Sequence, residues 1–330
     1  VGSPPHQRGV VSAASYEARK FGVRSAMASA TAGRLCPGAI FVRPRMHDYR
    51  DESRKIMAIL SLPGVSVERV SIDEAYLDLT RLLQASHPDL IGDEMLYAAV
   101  PVARGLKERI RNERRLTASV GIASNKLLAK IASDFRKPDG LTLIPDRDRV
   151  EFLRPLPVRA IPGVGRITEQ TLARAGLATV GDLQDHRGDL QALVGSFGPR
   201  LKQFAFGEDD RPLDLGDEIK SLSAEETFLH DTEDRGQLRA CLREQADDIA
   251  RRLARRRLAA HTVQVKVRYG DFRTLTRQIT LEEPVTEARD IYRLGCFLLA
   301  RDRLVKRPLR LLGLGVSGLH EEAARQLSLL

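Results

Sequence analysis

The last third of the chain constrains the fold most, because its apolar residues change period in an order few architectures share. Residues 221–229, 262–270, 273–281 and 308–318 alternate apolar and polar side chains, the period-two mark of half-buried strands. Residues 235–258 and 286–304 repeat instead at helical spacing. The succession β-α-β-β-α-β predicts a four-stranded sheet with two helices on one face. Along 262–270, Val263, Val265, Val267 and Tyr269 share one side, and Gln264, Lys266 and Arg268 share the other.

Upstream the pattern differs. Residues 147–207 show no strand signal; short helices alternate with glycine turns, at Ile161-Pro162-Gly163-Val164-Gly165 and at Gly195-Ser196-Phe197-Gly198. Residues 208–219 are charged, punctuated by Pro and Gly and free of periodicity, which reads as a flexible linker. The first 146 residues mix element types. A short strand is expected at 9–13, then a helical turn capped by Ser15 and stopped at Gly22. Helices are expected at 49–60 and 97–112, the second with Val100, Ala103, Leu106 and Ile110 on one face. A buried strand at 118–122 leads into a helix carrying Leu128, Ile131, Ala132 and Phe135, ended by Pro138-Asp139-Gly140.

The charge balance points to a class of partner. Lys and Arg number 53 against 44 Asp and Glu, a formal +9 over 330 residues. Such a chain favours a polyanion. No apolar run reaches the length of a membrane span, so nucleic acid is expected rather than lipid. The three cysteines are scattered, and no C-x-x-C or H-E-x-x-H occurs, so neither a disulfide framework nor a zinc site is indicated. Reduced thiols fit a cytoplasmic protein.

Between residues 65 and 79 the string VSVERVSIDEAYLDL reads as two strands meeting near Asp73-Glu74. Adjacent side chains on a regular strand point to opposite faces, so these two carboxylates converge on one ion only at a bend. An exposed acidic turn is the ordinary reading of a bare Asp-Glu pair. Oxygen-ligated divalent cations for phosphoryl or nucleotidyl transfer are the functional one.

The neighbourhood decides between them. Ser15-Tyr16-Glu17-Ala18-Arg19-Lys20-Phe21-Gly22-Val23 and Ser71-Ile72-Asp73-Glu74-Ala75-Tyr76-Leu77-Asp78 resemble motifs of Y-family DNA polymerases, in particular the bacterial DNA polymerase IV group. Ser119-Val120-Gly121-Ile122-Ala123-Ser124-Asn125-Lys126, Lys137-Pro138-Asp139-Gly140, Ile161-Pro162-Gly163-Val164-Gly165, Tyr269-Gly270-Asp271-Phe272 and Leu311-Leu312-Gly313-Leu314-Gly315-Val316 continue the match in unbroken order. The resemblance implies an α+β multidomain right-hand polymerase. Its parts would be fingers at 1–45, palm at 46–146, a helical thumb with a helix-hairpin-helix at 147–207, a linker at 208–219, a β-α-β-β-α-β little finger at 220–320 and a tail at 321–330.

The same resemblance implies roles. Asp73 and Glu74 would ligate two Mg²⁺ ions and be the catalytic carboxylates. Tyr16, Arg19 and Lys137 would hold the incoming deoxynucleoside triphosphate, with Ser12 near the templating base; a family threonine is replaced by Ala13. Gly163, Val164 and Gly165 would meet the duplex backbone, and Lys266, Arg268, Thr274, Thr276 and Arg277 would touch primer–template phosphates. Gln326, Leu327, Leu329 and Leu330 resemble the peptide by which such enzymes dock on a sliding clamp. The implied protein is a monomeric, low-fidelity translesion polymerase without proofreading and without a membrane. Nothing in residues 1–14 matches the strand with which the family begins, so the expectation is a chain lacking that N-terminal palm strand and one aspartate ligand. A non-catalytic adaptor linking damaged DNA to the clamp is the alternative, and a helix-hairpin-helix nuclease subunit a weaker one.

Overall fold

The computed structural model describes residues 1–216 and 218–321. It divides into two units, Val1–Pro44 with the described part of Asp217–Leu330, and Arg45–Gly216.

The first segment is held by loops more than by regular structure. Helix α1 (Tyr16–Lys20) starts as expected, the Ser15 hydroxyl accepting from Ala18 N, and α2 spans Ser29–Leu35. The strand expected at 9–13 is reduced to isolated bridges, Gly2 with Val11 and Val10 with Ala28. Val11, Val23 and Ala32 form its small core. Too few apolar residues alternate here to fix an extended ladder.

In the second unit, α3 (Met46–Leu60) leads to an antiparallel hairpin of β1 (Ser66–Arg69) and β2 (Ala75–Asp78), with Val67 opposite Leu77. Helices α4 (Thr80–Ser86) and α5 (Asp93–Arg114) follow, and α5 buries Ala99, Ala103, Leu106 and Ile110. Arg114 fixes α5 to α3 through two of its guanidinium nitrogens, Nε to Glu52 Oε1 at 2.6 Å and Nη2 to Oε2 at 2.8 Å. That fork holds the Glu52 carboxyl down at about 2.

Strand β3 (Val120–Ile122), helix α6 (Lys126–Phe135) and the parallel strand β4 (Leu141–Leu143) form the next unit of structure. Asn125 caps α6 with its Oδ1 and donates Nδ2 to Gly207 O at 2.8 Å. Leu127, Leu128, Ile131 and Ala132 of α6 join the core of the helical segment that follows. Each large one contributes about 1.5–3 kcal/mol relative to exposure. That segment comprises α7 (Arg149–Leu153), α8 (Arg166–Arg174), α9 (Val180–Asp185), α10 (Leu190–Val194) and α11 (Gly198–Ala205). As the composition predicts, it contains no strand.

The stretch read as a flexible linker is docked over much of its length. The Asp209 carboxylate is buried, accepts from Leu127 N at 3.1 Å and pairs with Arg211. Lys126 donates to Pro212 O, and Asp214 N donates to Glu68 Oε2 at 2.9 Å. Charges without periodicity hid these anchors, because each is a single polar contact and not a repeating face.

The C-terminal domain has the predicted order: β5 (Ser221–Thr232), α12 (Arg235–Arg256), β6 (Leu258–Tyr269), β7 (Thr274–Val285), α13 (Ala288–Arg301) and β8 (Leu309–Glu321). The sheet runs β5-β8-β6-β7, all neighbours antiparallel. Val263, Val265, Val267 and Tyr269 face the helices, packed on Leu242, Ile249, Leu253, Ile291 and Leu298. A further tie belongs to the same unit as residues 1–44: Arg8 donates to Asp231 Oδ1 at 2.6 Å and to Phe228 O at 2.9 Å.

Candidate active site and nucleic-acid interface

Asp73 and Glu74 stand where the β1–β2 hairpin leaves its ladder. Val70 N and Ser71 N both donate to Glu74 O, which closes the bend the sequence required. Asp73 is exposed; its Oδ1 accepts from Ser71 Oγ at 2.6 Å. Glu74 is half-buried, and its Oε1 lies 2.5 Å from Lys130 Nζ. Burial works against a charge on Lys130, but the Glu74 hydrogen bond, with Asp134 and Glu74 nearby, outweighs it and holds the ammonium above the usual lysine value.

Lys130 continues the line. Asp134 Oδ2 is 3.9 Å from it, and Asp134 Oδ1 is 2.5 Å from Lys137 Nζ. Glu74, Lys130, Asp134 and Lys137 thus form a chain of alternating charge joining the carboxylate bend to the Lys137 loop. Spacing of four and then three residues from Lys130 to Asp134 to Lys137 was visible in the sequence as one helix face running into its C-terminal turn. Its meeting with Glu74 was not, since Glu74 and Lys130 are 56 residues apart in the chain.

The two carboxylates suit a divalent cation by their chemistry. They are hard oxygen donors, and magnesium is commonly held by one or two carboxylates together with substrate phosphates. Among the described residues there is no group of three or more Asp, Glu, His or Cys side chains that could form a self-sufficient cage.

Ser12, Tyr16 and Arg19 belong to the other unit. Arg19 stacks on the Tyr16 ring, 4.8 Å from its centre, while Nε donates to Ala14 O at 3.0 Å. Tyr16 is 42% exposed, so phenol and guanidinium both face solvent side by side. Ser12 is exposed and Ala13 follows it.

The hairpin at Ile161-Pro162-Gly163-Val164-Gly165 divides in two. Ile161 and Val164 are core residues, so Val164 offers a ligand no side chain. Gly163 has φ +98, and a Cβ there would come within 3.1 Å of the Phe197 ring. Gly165, just before α8, has open space around it. Backbone at 165 is therefore free to approach a phosphate, whereas 163 is fixed by packing.

The sheet of the C-terminal domain sorts the remaining candidates by face. Lys266 pairs with Thr276 and Arg268 with Thr274 in the β6–β7 register, placing these four on the side away from the helices. Lys266 Nζ is 2.7 Å from Glu225 Oε2, and Arg268 Nε donates to Thr274 Oγ1 at 2.8 Å. Arg277 lies opposite Val265 and so points to the helix side. It faces Asp302 at 3.6 Å, in a cavity of about 420 Å³ that Arg273, Lys306 and Arg307 also line. Grouping Arg277 with the other four is corrected by the period of two. Gln326, Leu327, Leu329 and Leu330 lie outside the described residues.

Comparison with known proteins agrees with this anatomy. The impB/mucB/samB family matches residues 1–134, and the C-terminal domain of the same family matches 219–329. The chain is 42% identical to DNA polymerase IV of Halorhodospira halophila, over 99% of this chain and 89% of that protein. It is 43% identical to DNA polymerase IV of Stenotrophomonas maltophilia strain R551-3, over 96% and 86%. The chain belongs to the DNA polymerase IV family. Among solved structures, a Y-family DNA polymerase chimera of Dbh and Dpo4 matches with a TM-score of 0.80 at 26% identity, covering 96% of this chain and 89% of that one. An insertion ternary complex of Dbh DNA polymerase matches at 0.65 and 26%, covering 96% and 90%. The expected α+β polymerase fold and enzyme class hold for this DNA polymerase IV relative; the adaptor reading gains nothing from any of these matches. Among the described residues, no helix is long and apolar enough to cross a membrane.

Proposed function

We propose that this chain extends a DNA primer on a template by adding deoxynucleotides, in the low-fidelity translesion mode and without proofreading, with Asp73 and Glu74 as its catalytic carboxylates. The observation that carries this reading is the bend that turns both carboxylates out of the hairpin beside a line of charge leading to Lys137.

Asp73 and Glu74 would hold magnesium, two ions in the full reaction; when bound, the metal neutralises triphosphate charge and favours ionisation of the primer 3′-hydroxyl. Lys130 orients the Glu74 carboxylate by its hydrogen bond. Lys137, Tyr16 and Arg19 supply an ammonium, a phenol and a planar guanidinium suited to phosphate oxygens. Ser12 stands by the templating base. Gly165 and its neighbours give sequence-independent grip on the duplex backbone, and Lys266, Arg268, Thr274 and Thr276 present cations and hydroxyls on one sheet face for the same purpose. The protein works as a monomer in the cytoplasm, and the tail Gln326-Leu327-Ser328-Leu329-Leu330 docks on a sliding clamp, on the strength of its sequence alone.

Primer extension with Asp73→Ala tests the assignment. Loss of extension with intact primer–template binding supports it; extension at the unmodified rate removes Asp73 from the chemistry. Deleting residues 326–330 should weaken clamp affinity and leave distributive synthesis unchanged, and equal clamp affinity would refute the tail's role.

A further inference from the structure

The loop from α6 to β4 carries Lys137, and its residues 136–139 are all exposed. No apolar side chain anchors it there, so something else must offset the entropy of fixing it. Lys107, on α5, meets it from the side. Its Nζ lies 2.7 Å from Asp139 Oδ1, 2.7 Å from Asp139 O and 3.1 Å from Gly140 O, and also 2.6 Å from Ala118 O.

An ammonium has three protons, and four oxygens around it use all of them. The Lys107 side chain is only 15% exposed against 36% for Asp139, so a lysine largely withdrawn from water holds a loop that itself faces solvent. Charge-assisted bonds of this kind are the strong ones. The Gly140 carbonyl also accepts from Val120 N at 3.0 Å, and Gly140 N donates to Ser119 Oγ at 3.2 Å. Lys107 thereby ties the loop to the start of β3 at the same point. Asp139 holds φ +55, a left-handed conformation that a non-glycine residue keeps only when its surroundings impose it. Arg111, one turn further along α5, stands 3.7 Å from the second Asp139 oxygen.

We propose that Lys107 is a positioning residue for the nucleotide: by clamping Asp139 and Gly140 it sets where Lys137 is presented to the incoming triphosphate. The inference rests on the reading that Lys137 meets that triphosphate. Lys107 itself is turned into the protein and touches no substrate. Its effect reaches Lys137 through the backbone of Asp139 and Pro138, while the Lys137 ammonium itself is paired with Asp134 at 2.5 Å.

The test uses the full chain with a dideoxy-terminated primer–template in Mg²⁺, so that nucleotide binds and no chemistry follows. Lys107→Met, Lys107→Arg, Lys137→Ala and the double variant Lys107→Met/Lys137→Ala are compared for nucleotide Kd, primer–template Kd and amide exchange across 136–141. Lys107→Met should weaken nucleotide binding by about 10-fold or more, the lower end of the roughly 10- to 100-fold cost of losing a group that orients a ligand. It should speed exchange in that loop and leave primer–template affinity unchanged. Lys107→Arg should restore most of the nucleotide affinity, and the double variant should bind no worse than Lys137→Ala alone.

Unchanged nucleotide affinity in Lys107→Met, or losses that multiply in the double variant, would overturn the proposal while leaving Lys137 in its role. Unchanged affinity in Lys137→Ala would overturn the reading beneath it. Should Lys107→Met fail to fold, Asp139→Asn, which weakens one of the four contacts and keeps the rest, must show the same selective loss of nucleotide affinity or the proposal falls.

Discussion

Lys130 Nζ rests 2.5 Å from Glu74 Oε1, so one of the two carboxylates at the bend is held by a cation from a helix more than fifty residues further along the chain. Lys130→Met removes that hold without touching Asp73. We expect primer extension to fall by about 10- to 100-fold, the usual cost of losing a group that orients a metal ligand. Thermal unfolding should change little by comparison. A variant with unaltered extension would show that Glu74 orients itself.

Asp73→Ala removes a ligand outright. The loss should be on the order of 10³-fold or more in rate, since a metal's stabilisation of the reacting phosphate is several kcal/mol. Single-turnover extension at saturating nucleotide separates this from any change in binding, and circular dichroism should report an unaltered fold because Asp73 is exposed.

Acid should loosen α3 from α5. The Glu52 carboxyl is held at about 2 by Arg114, below its unfolded value of 4.5. A depressed carboxyl contributes its stability above the unfolded value and loses it as pH falls through the folded one. Wild-type protein should therefore lose stability between about pH 4.5 and about pH 2. Glu52→Gln should be less stable at neutral pH and flatter across that window, measured by urea melts at each pH.

Gly163→Ala should destabilise the helical segment by roughly 1–3 kcal/mol, because an alanine at positive φ is strained and its Cβ meets Phe197. Gly165→Ala has open space and should keep the melting temperature while weakening duplex affinity. Equal effects of the two on stability would contradict the division of the hairpin.

The β-α-β-β-α-β domain was legible because its strands are long and alternate cleanly, so Val263 through Tyr269 announced their own inner face. Strand β4 escaped notice because three residues, Leu141–Leu143, are too few to show a period. The face of Arg277 was misjudged for a different reason. Thr276 and Arg277 are adjacent on β7, so the period of two already puts them on opposite faces, and Val265 opposite Arg277 shows that Arg277 takes the helix side. The candidate site residues came from the resemblance of several motifs, in one order along the chain, to a known family. Lys107 and the Glu74–Lys130 contact did not, since both are meetings of distant segments that leave no local pattern.

On the outer sheet face, Glu225 of β5 and Lys266 of β6 reach each other across the intervening strand, because the residue between them on β8 is Gly313. Lys266 is therefore not an idle charge awaiting DNA. A phosphate that takes it must first displace a carboxylate, and the released Glu225 then rehydrates in its place. Binding at this point is a substitution between two anions, so its salt dependence should be shallower than the cation alone would give, and Glu225→Gln should steepen it toward one added phosphate contact.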